Sequence, residues 1–170
     1  PQSGTIPSTT GWTASGSNAT KSYTFGNTLG TLPEPTRTGY TFKGWYTAAS
    51  GGTQVTSSTS VPSTNTTYYA QWTDSAKPTA KVTTTSTLKK GTQTATLTCS
   101  DNVGVTSYYW GNKNNPTASE FTTGTPSTKS VTSAGTYYLF CKDAAGNVNV
   151  AGTDQNTGKV VYYSYIVNDM

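Results

Sequence analysis

Two cysteines, Cys99 and Cys141, seven acidic residues and no histidine are what this chain offers for nucleophilic, acid–base or metal chemistry. Without an imidazole there is no Ser-His or Cys-His relay. Two thiolates with few carboxylates make a poor zinc site. The acids are Glu34, Asp74, Asp101, Glu120, Asp143, Asp154 and Asp169. A glycosidase would need two of them facing each other across a groove at a fixed separation. The expectation is a chain with no catalytic residue and no cofactor, and it leaves the cysteines to be explained.

The strands that must carry the cysteines explain them. TATLTC places Ala95, Leu97 and Cys99 on one face of a strand, and GTYYLFC does the same for Tyr137, Leu139 and Cys141. VTSYYWG at 105–111 and KVVYYSYIV at 159–167 read as further strands. DNVGV and DAAGN read as turns, because Asp accepts a local backbone bond and Gly takes a positive φ. Strands and turns at this spacing predict a sandwich. The apolar faces of a sandwich meet across its core, so a Cys99–Cys141 disulfide between the sheets is geometrically natural. The other reading is two independent buried thiols. A disulfide closing a loop of this length stabilises by ~4 kcal/mol if unstrained, and it implies oxidising surroundings.

Composition agrees with strands. Charged residues make up 11% of the chain and aromatic residues 12%. That is too little charge for a typical helical protein and too many rings for a disordered one. Abundant Thr, Val and Tyr favour pleated surfaces, so the predicted class is all-β to α+β. The net charge of +4 comes from lysines and Arg37 that are scattered, with one doublet at Lys89–Lys90. Nucleic-acid binding needs a clustered cationic footprint, so no nucleic-acid partner is expected. No stretch is long and apolar enough to insert in a bilayer. The opening PQSGTIPSTTG carries neither an initiator Met nor a signal pattern, and reads as part of something longer.

Residues 1–10 read as a linker. A first module follows at 11–73, then a short joint at 74–78 stiffened by Pro78, then a second module at 79–170. In the first module strands are expected at 11–14, 21–25, 40–46 and 67–72. At most one helical turn fits around 28–32, and SGG at 50–52 is a turn.

Cys99, Trp110 and Cys141, in that order on successive strands, resemble an immunoglobulin-like domain. Leu139, not Tyr, stands two before the second cysteine, so the tyrosine corner does not carry over. More specifically, TLTCSDNVGVTSYYWG with SAGTYYLFCKDAAGNV resembles the Ig-like domains strung along bacterial cell-surface proteins. YTFGNTLGTLPEPTRTGYTFKGWYTAASGGTQV followed by TTYYAQW resembles the internalin-type B repeat, also called the Listeria–Bacteroides repeat. GWTASGSN departs from the usual first strand. The resemblances imply a small β-grasp-like module followed by an Ig-like β-sandwich, in an extracellular protein at the bacterial surface or secreted. Neither family has a shared catalytic centre, so no active-site residue is carried over.

Other candidates follow from this frame. Asp101 and Asp143 would lie at one pole of an Ig sandwich, joined by Asn102 and Asn147, and could hold calcium. The alternative, which is favoured, is that each Asp orders its own turn. Lys81 and Asn168 are conceivable partners in an isopeptide bond. Asn18 and Asn65 head glycosylation sequons. Paired tyrosines put one ring in and one out. With Cys141 inward, Tyr138 and Phe140 point outward. On the strand at 105–111, an inward Val105 would expose Tyr108 and Trp110, whereas an inward Trp110 would expose Tyr109. Tyr108, Tyr109, Trp110, Tyr138 and Phe140 are therefore the candidate binding residues, read either as a contact surface or as ordinary cross-strand ladders. The functional expectation is a non-enzymatic, monomeric stalk or adhesin segment whose partners are neighbouring modules of its parent chain. The alternative is a module that binds a glycan or a host protein through its aromatic face.

Overall fold

The computed structural model describes residues 4–84 and 92–162. The chain divides into two compact units, residues 1–75 and 76–170. Each is described by itself.

The first unit opens with a hairpin of β1 (Thr13–Ser15) and β2 (Asn18–Thr20), turned at Gly16 with φ +60°. Its sheet has β3 (Tyr40–Tyr46) at the centre, with β4 (Gln54–Val55) on one side and β5 (Tyr69–Asp74) on the other, all antiparallel. A bulge between Phe42 and Gly44 shifts the register against β5. Two residues further along a regular strand would face the same way, and three would not. The extra residue lets Phe42 and Trp45 share a face, with ring centroids 5.7 Å apart, and Phe42 also packs on Trp72 at 5.4 Å. Gly44 sits at φ +135°, and a Cβ there would meet the Gln54 side chain.

No helical turn forms at 28–32. Gly30 is left-handed at φ +64°, and the backbone bonds instead to 57–61: Leu29 N–H donates to Thr59 O, Gly30 N–H to Ser57 O, and Val61 N–H to Asn27 O. This pairing buries Leu29, Val55 and Val61 against Tyr23, Leu32, Trp45 and Tyr68. The expected strand at 21–25 is also absent. The hairpin ends at Thr20, and Phe25 lies 71% exposed. Of the residues expected to form a leading linker, Thr5 exchanges both backbone bonds with Thr36, and Ile6 is buried. The joint is shorter than expected too, since Asp74 pairs with Tyr40 at the end of β5.

The second unit holds two sheets. One is β6 (Thr79–Thr84), β7 (Gln93–Ser100) and β10 (Thr128–Val131), in the order β10-β7-β6. The other is β8 (Val105–Gly111), β9 (Thr122–Thr123), β11 (Gly135–Asp143) and β12 (Lys159–Tyr162), in the order β12-β11-β8-β9. All pairings are antiparallel. Strict alternation on β6 and β7 turns Ala80, Val82, Ala95 and Leu97 into a core shared with Tyr108, Leu139, Cys141 and Val160 of the other sheet. Burial of these side chains supplies the main favourable term, at ~25 cal/mol per Å² of apolar surface. The expected last strand is described as far as Tyr162, and its remainder lies outside the described residues.

Candidate functional site

Cys99 on β7 and Cys141 on β11 form a disulfide with Cα atoms 5.8 Å apart. It joins the two sheets through the core, and no free cysteine remains. Cys141 is wholly buried.

That inward facing fixes the outer face of the second sheet. Phe140 stands opposite Tyr109, and Cys141 opposite Tyr108. Trp110 faces Leu139 and stacks on Tyr137 with centroids 5.4 Å apart. Of the five candidate binding residues, Tyr109, Tyr138 and Phe140 are therefore on the outer face, and Tyr108 and Trp110 are not. The simple alternation argument could not choose, because a register shift between Lys142 and Asp143 places Val105 opposite Asp143. Val105 and Trp110 both pack toward the core as a result. Thr106 marks the irregularity, its hydroxyl lying within hydrogen-bonding distance of the carbonyls of Lys142 and Asp143.

The outer rings form a ladder covered by their own neighbours. Tyr109 lies between Phe140 and Phe121, at 6.3 and 6.4 Å, and Tyr138 stacks beside Phe140. Lys142 reaches over Phe121 and Lys159 over Tyr138. Lys stems shield apolar surface while the ammonium stays wet. Tyr109 and Phe140 are consequently buried, and the partly open rings are Phe121 and Tyr138. The Tyr109 hydroxyl also accepts the backbone N–H of Lys113.

Four of the acids, Asp101, Glu120, Asp143 and Asp154, hold hydrogen bonds within their own turns, although Asp101 Oδ1 is buried without a partner among the described residues. Asp101 Oδ2 accepts the N–H groups of Val103 and Gly104. Asp143 accepts the Asn147 backbone N–H on one oxygen and its side-chain amide on the other, at 2.8 and 2.7 Å. The two carboxylates come within 4.8 Å, but three of their four oxygens hold hydrogen bonds within their own turns. Asn102 is exposed on the Asp101 turn. Asp154 caps the 3-10 turn Gln155–Thr157. Glu120 binds Lys113 Nζ and takes two bonds from Thr117. The Lys113 hydrogen bond, and then those from Thr117, hold its carboxyl at about 2, and the same contact raises Lys113 above its usual range. Asn18 and Asn65 are exposed. Lys81 is exposed on β6, while its conceivable partner Asn168 lies outside the described residues, as does Asp169.

Sequence reasoning missed Asn149. Beyond Tyr138, β11 is no longer paired with β12, and among the described residues only an isolated bridge, Lys142 to Val148, continues that side. Asn149 takes that place: its Oδ1 accepts Cys141 N–H at 2.6 Å and its Nδ2 donates to Leu139 O at 3.2 Å. Gly158 O takes the Leu139 N–H at 2.7 Å. Nothing in the local sequence marks a side-chain amide that substitutes for a strand.

Residues 9–71 match the family model of the Listeria-Bacteroides repeat domain. That repeat is typical of bacterial surface proteins. Comparisons with curated proteins and with solved structures found no match.

Proposed function

We propose that this chain is a non-enzymatic, extracellular segment of a bacterial cell-surface protein, acting as a spacer built from two modules. The observation that carries the reading is the match of residues 9–71 to a repeat typical of such proteins. The cross-sheet disulfide supports it, because such bonds persist in oxidising compartments. The absence of histidine and the local engagement of Asp101, Glu120, Asp143 and Asp154 support a non-catalytic role.

The second unit is read as Ig-like. If β6, β7, β8, β10, β11 and β12 are strands A, B, C, E, F and G, the sheets are A-B-E and G-F-C, an arrangement that supports the assignment. The first unit is read as β-grasp-like, with the irregular segment through Leu29 and Leu32 packed on its sheet where a helix would otherwise lie.

Antibodies to the chain should label intact cells of the producing bacterium, and protease treatment of those cells should remove the signal. Labelling only after lysis would overturn the surface assignment. The alternative, a binding module, is favoured by one feature, the partly open Phe121 and Tyr138 flanked by Lys142 and Lys159. A spacer shows no saturable binding on glycan or host-protein arrays. A binding module shows binding that is lost in Tyr138→Ala.

A further inference from the structure

We propose that the first unit carries a binding groove for a neutral saccharide, a role separate from spacing. The groove is open to solvent and holds about 560 Å³, within the size range of small-ligand sites. Its rings are Tyr40, Phe42 and Trp72, its charges are Glu34 and Arg37, and four threonines complete the wall.

The lining selects the ligand class by what it would leave unsatisfied. A purely apolar ligand would strip water from the exposed Glu34 carboxylate and the threonine hydroxyls without replacing their hydrogen bonds, which is costly. An anion would meet Arg37 but also the carboxylate of Glu34, and a cation the reverse. A pyranose avoids both conflicts. Its C–H face packs on a ring, and its hydroxyls both donate and accept, matching a wall that holds an acceptor-only carboxylate, a donor-only guanidinium and threonines that do either. The Arg37 guanidinium is held 3.7 Å over the Tyr40 ring, so this donor fork is ordered in advance.

Trp72 supplies an independent sign. Its indole N–H is buried and has no acceptor among the described residues. In the same unit, the indole of Trp12 donates to Thr31 O and that of Trp45 to Pro33 O. Buried donors without a partner are rare, and this one belongs to a ring that lines the groove. A turn of the ring that brought this N–H to the groove surface would give it a sugar hydroxyl as acceptor.

The test is a titration of the whole isotope-labelled chain with maltotriose, cellotriose and chitotriose, followed by nuclear magnetic resonance. Trigalacturonate and a Ser/Thr hexapeptide serve as the anionic and peptide arms. The expected result is a saturable shift of the Trp72 indole resonance and of amides 36–42 with at least one neutral trisaccharide. The Trp12 and Trp45 indole signals should stay put and report that the unit remains folded. Trp72→Phe and Arg37→Gln should each weaken binding about tenfold, the loss of one good hydrogen bond. The proposal is overturned if no neutral sugar moves these signals, if only the anion or the peptide does, or if both variants bind as the parent does. The spacer reading is decided separately, by labelling of intact cells.

Discussion

Asn149 replaces a missing length of strand with one side chain. Its amide satisfies Cys141 N–H and Leu139 O, both deep in the second unit. Asn149→Ala leaves two buried backbone groups without partners, which costs ~2–6 kcal/mol at the usual penalty for each. Urea unfolding of residues 76–170 should show that loss, whereas Asn147→Ala, at a half-buried turn, should cost less. At the surface, Glu120 and Lys113 make a pH-dependent pair. The Glu120 carboxyl is lowered from 4.5 to about 2, so its contribution is complete above 4.5 and disappears as pH falls through about 2. Lys113 is raised, so its part is complete below 10.5 and disappears as pH rises past that value. Carboxyl titration should place Glu120 near 2. Lys113→Ala should return it only part of the way to 4.5, because the Thr117 bonds remain.

Strands with clear alternation and glycine near their ends were legible: β3 and β8 span the residues their patterns predict, Tyr40–Tyr46 and Val105–Gly111. The facing of β8 was not legible. It depends on one irregular residue, and a single extra residue reverses every side chain beyond it. The same physics governs β3, where the unpaired Lys43 between Phe42 and Gly44 bulges the strand and brings Phe42 and Trp45 to one side. Gly44→Ala would strain a backbone at φ +135° and push on Gln54, so a loss of ~1–3 kcal/mol is expected for the first unit by thermal melting. Strands of two residues, β4 and β9, carry too few side chains to show a period. On the outer face of β11, an open binding surface predicts that Phe140→Ala leaves stability unchanged. The buried ladder predicts instead a loss of ~3 kcal/mol or more, as for other buried phenylalanines.

At the scale of the molecule, the sequence showed more of the second unit's sandwich than of the first unit's packing. Cys99 and Cys141 lie on regular strands whose inward faces can be counted, so their pairing followed from periodicity. The first unit is bound together by backbone bonds between irregular segments, such as 27–30 with 57–61, which have no period to read. The surface match at residues 9–71 and the disulfide in the other unit bear on one claim, that the chain works in an oxidising space outside the cell. The most direct test uses protein taken from the cells that make it, with a thiol-blocking reagent present at lysis, followed by intact mass of the unreduced chain. The account predicts no adduct on Cys99 or Cys141, with both labelled only after reduction. Two adducts before reduction would contradict it, because the bond between the sheets would then be missing where the protein lives.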